Sequence, residues 1–235
     1  MFSRILVSGL FAGFAAGLIA ALLQLAFVQP ILLHAELYES GQLTHFGGAK
    51  AGAVAAAGDV DVDLVRDGLS VLFTTLLYTG YALILVAAMA LAEERGFRIA
   101  VRQGLLWGLA GFVAVQFAPA VGVPPELPGS AAADIGLRRL WWLGTVGATA
   151  AGIVLIACGK GWTARGIAAV LILAPHVIGA PHPETFAGPA PPELAAMFAG
   201  RALGVGLVAW ALLGLFAAWF WIREGKRTED AARTA

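Results

Sequence analysis

Two imidazoles and a carboxylate stand within one short run of this sequence, Pro175-His176-Val-Ile-Gly179-Ala-Pro181-His182-Pro183-Glu184. Imidazole with carboxylate is a ligand set for divalent first-row metals such as Co²⁺, Ni²⁺ or Zn²⁺. His34, Glu36, Glu126 and Glu193 offer the same two chemistries elsewhere in the chain. The spacing of His176 and His182 is no stock metal motif, and a histidine beside proline at a membrane surface also serves as a plain interfacial polar residue. Both readings stand. The lone cysteine, Cys158, excludes an internal disulfide and a thiolate cluster. No Walker, H-E-x-x-H or G-x-S-x-G pattern is present, so neither ATP hydrolysis nor hydrolase chemistry is expected of this chain. The expectation is a protein that is not an enzyme and holds no cofactor of its own.

Apolar segments must position these groups. Of 235 residues, 60% are hydrophobic and 13% charged, where a soluble domain carries roughly 25% charged residues; mean hydropathy is +0.83. Lipid must therefore cover much of the surface. The formal net charge is zero, and the Lys and Arg residues form no basic stripe, which excludes a nucleic-acid partner. A span needs about 20 mostly apolar residues, and six segments qualify: 5–33, 69–92, 103–121, 140–159, 163–180 and 199–222. The first is too long for a signal-peptide core and reads as a retained span. The fifth is the shortest and carries Pro175, so five spans with a re-entrant fifth segment is the rival count. Six spans with the N-terminus in the cytosol place ten Lys and Arg inside and five outside, as the positive-inside rule prefers. The expected fold is an all-α, polytopic transmembrane helix bundle over residues 1–222, with a polar, disordered cytosolic tail over 223–235.

That topology puts His34, His45, His176 and His182 on the external side, beside Glu36, Glu39, Glu126, Asp134, Glu184 and Glu193. Three prolines and a glycine forbid a continuous helix through 175–184, so the fifth span should end in irregular backbone that protein buries or water lines. The expected roles follow. His176, His182 and Glu184 receive a cation at an external mouth; His34, Glu36, Glu126 and Glu193 form a vestibule around it. Ligation by imidazole implies capture that fails as histidine protonates, near a pKa of about 6.5. Within the spans no Asp, Glu, Lys or Arg lies near a midplane; Gln24, Gln116 and Thr145 are the pathway candidates, with interhelical hydrogen bonding as their other reading. Gly9, Gly13 and Gly17, Gly104 and Gly108, and Gly200 and Gly204 share helix faces, as packing in lipid requires. Trp141, Trp142, Trp219 and Trp221 sit at belt positions. A repeated Glu-Leu pair at Glu36, Glu126 and Glu193 suggests three hairpin repeats. The acidic run Asp59, Asp61, Asp63 and Asp67 lacks the glycine and distal Glu of a calcium loop and reads as a solvated segment.

Several stretches resemble the CbtA family of cobalt transporter subunits: Gln29-Pro30 with Ala35-Glu36-Leu37-Tyr38-Glu39, Pro124-Pro-Glu126-Leu-Pro-Gly129, Arg139-Leu-Trp141-Trp142, Pro175-His176-Val-Ile-Gly179-Ala-Pro181, and Pro192-Glu193-Leu194. They run in the family's order from about residue 2 to 222. The resemblance implies a multi-pass subunit of a bacterial or archaeal inner-membrane Co²⁺ uptake system linked to cobalamin metabolism. It implies a partner too, a small single-span subunit, CbtB, with a histidine-rich terminus. The family is usually described with five spans, where the residues here give six. Ligand type alone leaves nickel or zinc open as cargo, and a non-transporting scaffold that docks another membrane subunit is the alternative from another class.

Overall fold

The computed structural model describes residues 1–44 and 63–234. His45, Asp59 and Asp61 lie outside the described residues. The described secondary structure is all helical: α1 Phe2–Phe27, α2 Gln29–Glu39, α3 Leu64–Glu94, α4 Val101–Gly122, α5 Ile135–Cys158, α6 Gly161–Ile178 and α7 Pro192–Thr234. All but α2 are long and apolar enough to cross a membrane, giving six candidate spans.

Three prolines and an acid set the local geometry. Pro30 has no N–H to offer the Ala26 carbonyl, so the first apolar segment is not one helix over 5–33; α1 ends at Phe27 and α2 begins at Gln29. The Arg201 guanidinium donates to the freed Phe27 carbonyl at 3.2 Å. Pro119 likewise cannot donate one turn back, and the five residues before Ala118, Val113–Phe117, widen into a π-turn within α4. Pro175 lies inside α6 without stopping it; the helix ends at Gly179, whose φ of +91° only glycine adopts freely. Asp134 caps α5, its Oδ1 accepting from the Leu137 amide at 2.9 Å.

The expected disordered tail is helical instead. The α7 helix continues through the polar residues to Thr234, since Glu, Lys, Arg and Ala are strong helix formers and Glu224 pairs with Arg227 one turn on. Its 43 residues span about 65 Å at 1.5 Å per residue, so the polar end extends past a hydrocarbon core of about 30 Å.

Contacts divide the chain into two compact units. The first comprises Met1–Gln24, Leu64–Phe112 and Val205–Ala235. Gly9, Gly13 and Gly17 lay α1 against Leu83, Thr79 and Thr75 of α3, with the Gly17 position 2.8 Å from the Thr75 Cα for any added Cβ. Gly104 and Gly108 meet Gly214 and Trp210 of α7 in the same way. Arg4 ties three helices together here, donating from Nε to the Trp221 carbonyl at 2.9 Å and from Nη1 to Glu93 at 3.0 Å.

The second unit comprises Leu25–Asp63 and Val113–Gly204. Its α5 and α6 pack along one another through Gly152, where Ile172 and the Ala168 carbonyl fill the space a side chain would need. Only 17% and 11% of their most apolar windows are buried within the chain, against 44% for α1 and α7, so lipid or other subunits must cover the rest. Gly200 and Gly204 differ from the expectation: a Cβ added at either would meet no neighbouring element within 4 Å. The apposed face of α7 in this stretch carries Phe198 instead, 9% exposed.

Candidate functional site

The loops that carry the candidate ligands are tied to one another. After α4 the chain runs through Pro124-Pro-Glu126-Leu-Pro-Gly129 to α5; after α6 it runs from Gly179 to Pro191. The Ala131 amide donates to the Ala187 carbonyl at 2.7 Å, joining these two loops. Gly129, with φ of +74°, lies between them and α2: an added Cβ would stand 3.1 Å from the Pro189 ring and 3.2 Å from Glu39 Cγ. Leu127 is buried beneath the loop, 3% exposed. Segments bearing Glu39, Glu126 and Glu184 thus converge around one glycine. Gly129→Ala should cost about 1–2 kcal/mol from the left-handed backbone alone, with more from the crowding. A fall in the unfolding midpoint of purified protein, together with faster proteolysis at the 123–134 loop, is the expected reading.

The individual side chains are placed as follows. His176, in the last turn of α6, is half-buried and meets Trp141 edge-on, ring centroids 6.1 Å apart. Trp141 Nε1 donates to the Pro175 carbonyl at 3.2 Å, which fixes α5 against the end of α6. His182 lies exposed in the loop, 6.1 Å from the Phe186 ring. Glu184 is exposed two residues further on. His34 stacks on Tyr38 of its own helix at 5.6 Å, and Glu36 is exposed between them. Glu126 is engaged by Arg138 at 2.7 Å, so its carboxylate reaches a cation only by sharing or releasing that guanidinium. Glu193 is exposed in the first turn of α7. All seven belong to the second unit. Among the described residues, no three or more His, Cys, Asp or Glu side chains gather closely enough to hold a metal ion. Asp134, counted among the outer carboxylates from the sequence, is the α5 cap.

The three pathway candidates each make a hydrogen bond. Gln24 Oε1 accepts from Thr74 of α3 at 3.3 Å; Gln116, in the π-turn, donates to the Ala202 carbonyl of α7 at 3.4 Å. Thr145 is fully buried and donates to the Trp141 carbonyl at 2.9 Å. It lines a groove of about 560 Å³ along α5 and α6 with Trp141, Leu171, Pro175 and Pro181. Gln24 belongs to the first unit, Gln116 and Thr145 to the second.

A polar stripe on α3 went unanticipated. Thr74, Thr75, Tyr78, Thr79 and Tyr81 lie within two turns of an apolar helix. Thr75 and Tyr78 are buried, and Tyr81 meets Trp210 of α7 with ring centroids 4.9 Å apart. The run Thr74-Thr-Leu-Leu-Tyr78-Thr-Gly-Tyr81 was the available signal. Its hydroxyls carry no charge, and a search for charged groups passes over them.

The six long apolar helices make this a multi-pass α-helical membrane protein. Residues 2–222 match the family described as "Probable cobalt transporter subunit (CbtA)", and the chain belongs to that family. No curated protein and no solved structure matches it.

Proposed function

We propose that this chain is the membrane-embedded subunit of a Co²⁺ uptake system serving cobalamin metabolism, and that it captures the ion at the loops between its helices. The observation that carries the reading is the convergence of the 123–134 loop, the 179–191 loop and the end of α2 around Gly129. Membership of a family of transporter subunits supports it from the other side. In this reading His176, His182 and Glu184 receive the ion, while His34, Glu36 and Glu193 surround them and Glu126 exchanges Arg138 for the cation as it arrives. The ligands are dispersed on loops and helix ends, which suits capture and release of a cargo rather than permanent retention. Co²⁺ is cargo here, and the chain keeps no cofactor of its own. Gln24, Gln116 and Thr145 then offer neutral oxygens along the spans.

In this reading the chain lies in the inner membrane with its N-terminus in the cytosol, an orientation that the ratio of ten basic residues to five supports. Its proposed partner is a small single-span subunit with a histidine-rich terminus. The thinly buried α5 and α6 leave apolar surface for such a helix as well as for lipid.

Cobalt accumulation in a cobalt-starved host tests the site. The variant H176A/H182A should lower uptake about tenfold or more, as loss of metal-orienting groups generally does. Wild-type uptake in that variant sinks the ligand assignment. Uptake unchanged on deleting the whole chain, with loss of a partner complex, sinks transport and favours a scaffold. Titration of the purified protein with Co²⁺, Ni²⁺ and Zn²⁺ settles which cargo the ligands prefer.

A further inference from the structure

The polar end of α7 gathers its cations on one side. Trp219, Arg223, Lys226, Arg227 and Asp230 recur three and four residues apart, which sets them on one side of the helix. Together with Ile222, and with Val101 in the first turn of α4, they line an open cavity of about 570 Å³. Its lining divides by chemistry: Val101, Ile222 and the Trp219 indole are apolar, whereas Arg223, Lys226 and Arg227 are cationic. Asp230 offsets one of the three cations.

Arg223 and Arg227 make loose contacts within the chain. Arg223 is exposed, and its guanidinium lies 5.3 Å from the Trp219 ring centroid, a loose cation–π contact. Arg227 is 80% exposed, and its pair with Glu224 is long, 3.9 Å. A contact of that length to so exposed a guanidinium holds it weakly.

The cavity sits where an apolar helix turns polar, the depth at which tryptophan marks the membrane interface. An apolar floor beside a cationic rim at that depth matches the two ends of a phospholipid. The glycerol and first acyl carbons of such a lipid would lie on Val101, Ile222 and Trp219, and its phosphate would meet the guanidinium forks, whose planar donors suit its oxygens. With Asp230 and the neighbouring Glu224 both counted, one cation remains in excess, which favours a headgroup with net negative charge over a zwitterionic one, whose own ammonium it would repel. We infer that the cavity at Trp219, Arg223, Lys226 and Arg227 binds the phosphate of an anionic membrane phospholipid. This site belongs to the first unit and does not depend on the cargo of the protein.

The full chain, purified in detergent, is titrated with phosphatidylglycerol and with phosphatidylcholine of the same acyl chains, and bound lipid is counted by native mass spectrometry. The expected result is at least about tenfold tighter binding of the anionic lipid. R223Q/K226Q/R227Q should abolish the preference, while R223K/R227K, which keeps the charge, should retain most of it. The single variant R227Q, at a largely exposed position, guards against misfolding of the triple one and should lower the preference in part. Equal binding of the two lipids by the wild type, or a preference that survives both glutamine variants, overturns the site. Displacement of phosphatidylglycerol by millimolar inorganic phosphate would make the ligand a soluble anion and overturn the lipid assignment.

Discussion

Gly214→Ala is expected to destabilise the protein by about 3 kcal/mol, at the upper end of what an added methyl costs in a packed interior. A Cβ at Gly214 runs into the Gly104 carbonyl oxygen and the Gly108 amide, and stands 2.7 Å from the Gly108 Cα. All three obstacles are backbone, so no side-chain rotation relieves them and α4 must move off α7. Gly108→Ala meets the Trp210 carbonyl from the other side and should behave alike. In lipid the displaced helices gain nothing from the hydrophobic effect by closing again; close van der Waals contact is what holds them. Gly200→Ala and Gly204→Ala are the controls, because the added Cβ would meet no neighbouring element within 4 Å at either position. These should stabilise α7 by up to about 1 kcal/mol, the propensity difference between glycine and alanine. Unfolding midpoints in one detergent separate the two pairs by sign. A Gly214→Ala midpoint equal to the wild type's would mean that the α4–α7 contact is looser than described.

That contrast also shows what spacing reveals. Glycines four apart share a helix face, and the sequence picked out three such sets. Which face a neighbour occupies is a long-range property. So Gly9, Gly13, Gly17, Gly104 and Gly108 pack as expected, whereas Gly200 and Gly204 do not. The six spans were legible because twenty apolar residues can do little else. Their ends were less so: Pro30 splits off α2, and the helix former content of 223–234 outweighs its polarity.

At the candidate site the residue types were legible and their arrangement was not. Nothing local to Glu126 announces that Arg138, one loop later, will engage it. The hydrogen bond from Ala131 to Ala187 joins loops that two helices separate in sequence. Pro175 does not itself end its helix. Its ring frees a carbonyl one turn back but leaves its own carbonyl available, and that oxygen accepts both the Gly179 amide and Trp141 Nε1. The helix passes through Pro175 and breaks at Gly179, within the 175–184 run where the sequence forbids a continuous helix.

Arg4→Ala should be nearly as damaging as the glycine substitutions, and the reason lies in how many helices one side chain joins. Its guanidinium carbon stands 3.6 Å from the centroid of the fully buried Trp221 ring, and Nε donates to the Trp221 carbonyl at 2.9 Å. A desolvated cation–π contact is worth about 2 kcal/mol, and a hydrogen bond from a charged donor about 1.5–3 kcal/mol. The ion pair with Glu93 adds little, since 23% of the arginine and 40% of the glutamate side chain stay exposed. These contributions overlap, and a net loss of about 3 kcal/mol is expected for Arg4→Ala. Arg4→Lys keeps the charge and loses the plane that lies over the indole, so it should fall between. Glu93→Gln removes only the exposed pair and should cost under about 1 kcal/mol. The order Ala, Lys, Glu93→Gln in unfolding midpoints is the check. If Glu93→Gln proved as harmful as Arg4→Ala, the ion pair and not the stacked guanidinium would be what fastens α1 and α3 to α7. Arg4 counts as one more basic residue in a tally of membrane sidedness. Its contacts give it a second role, as the fastening of three helices at their polar ends.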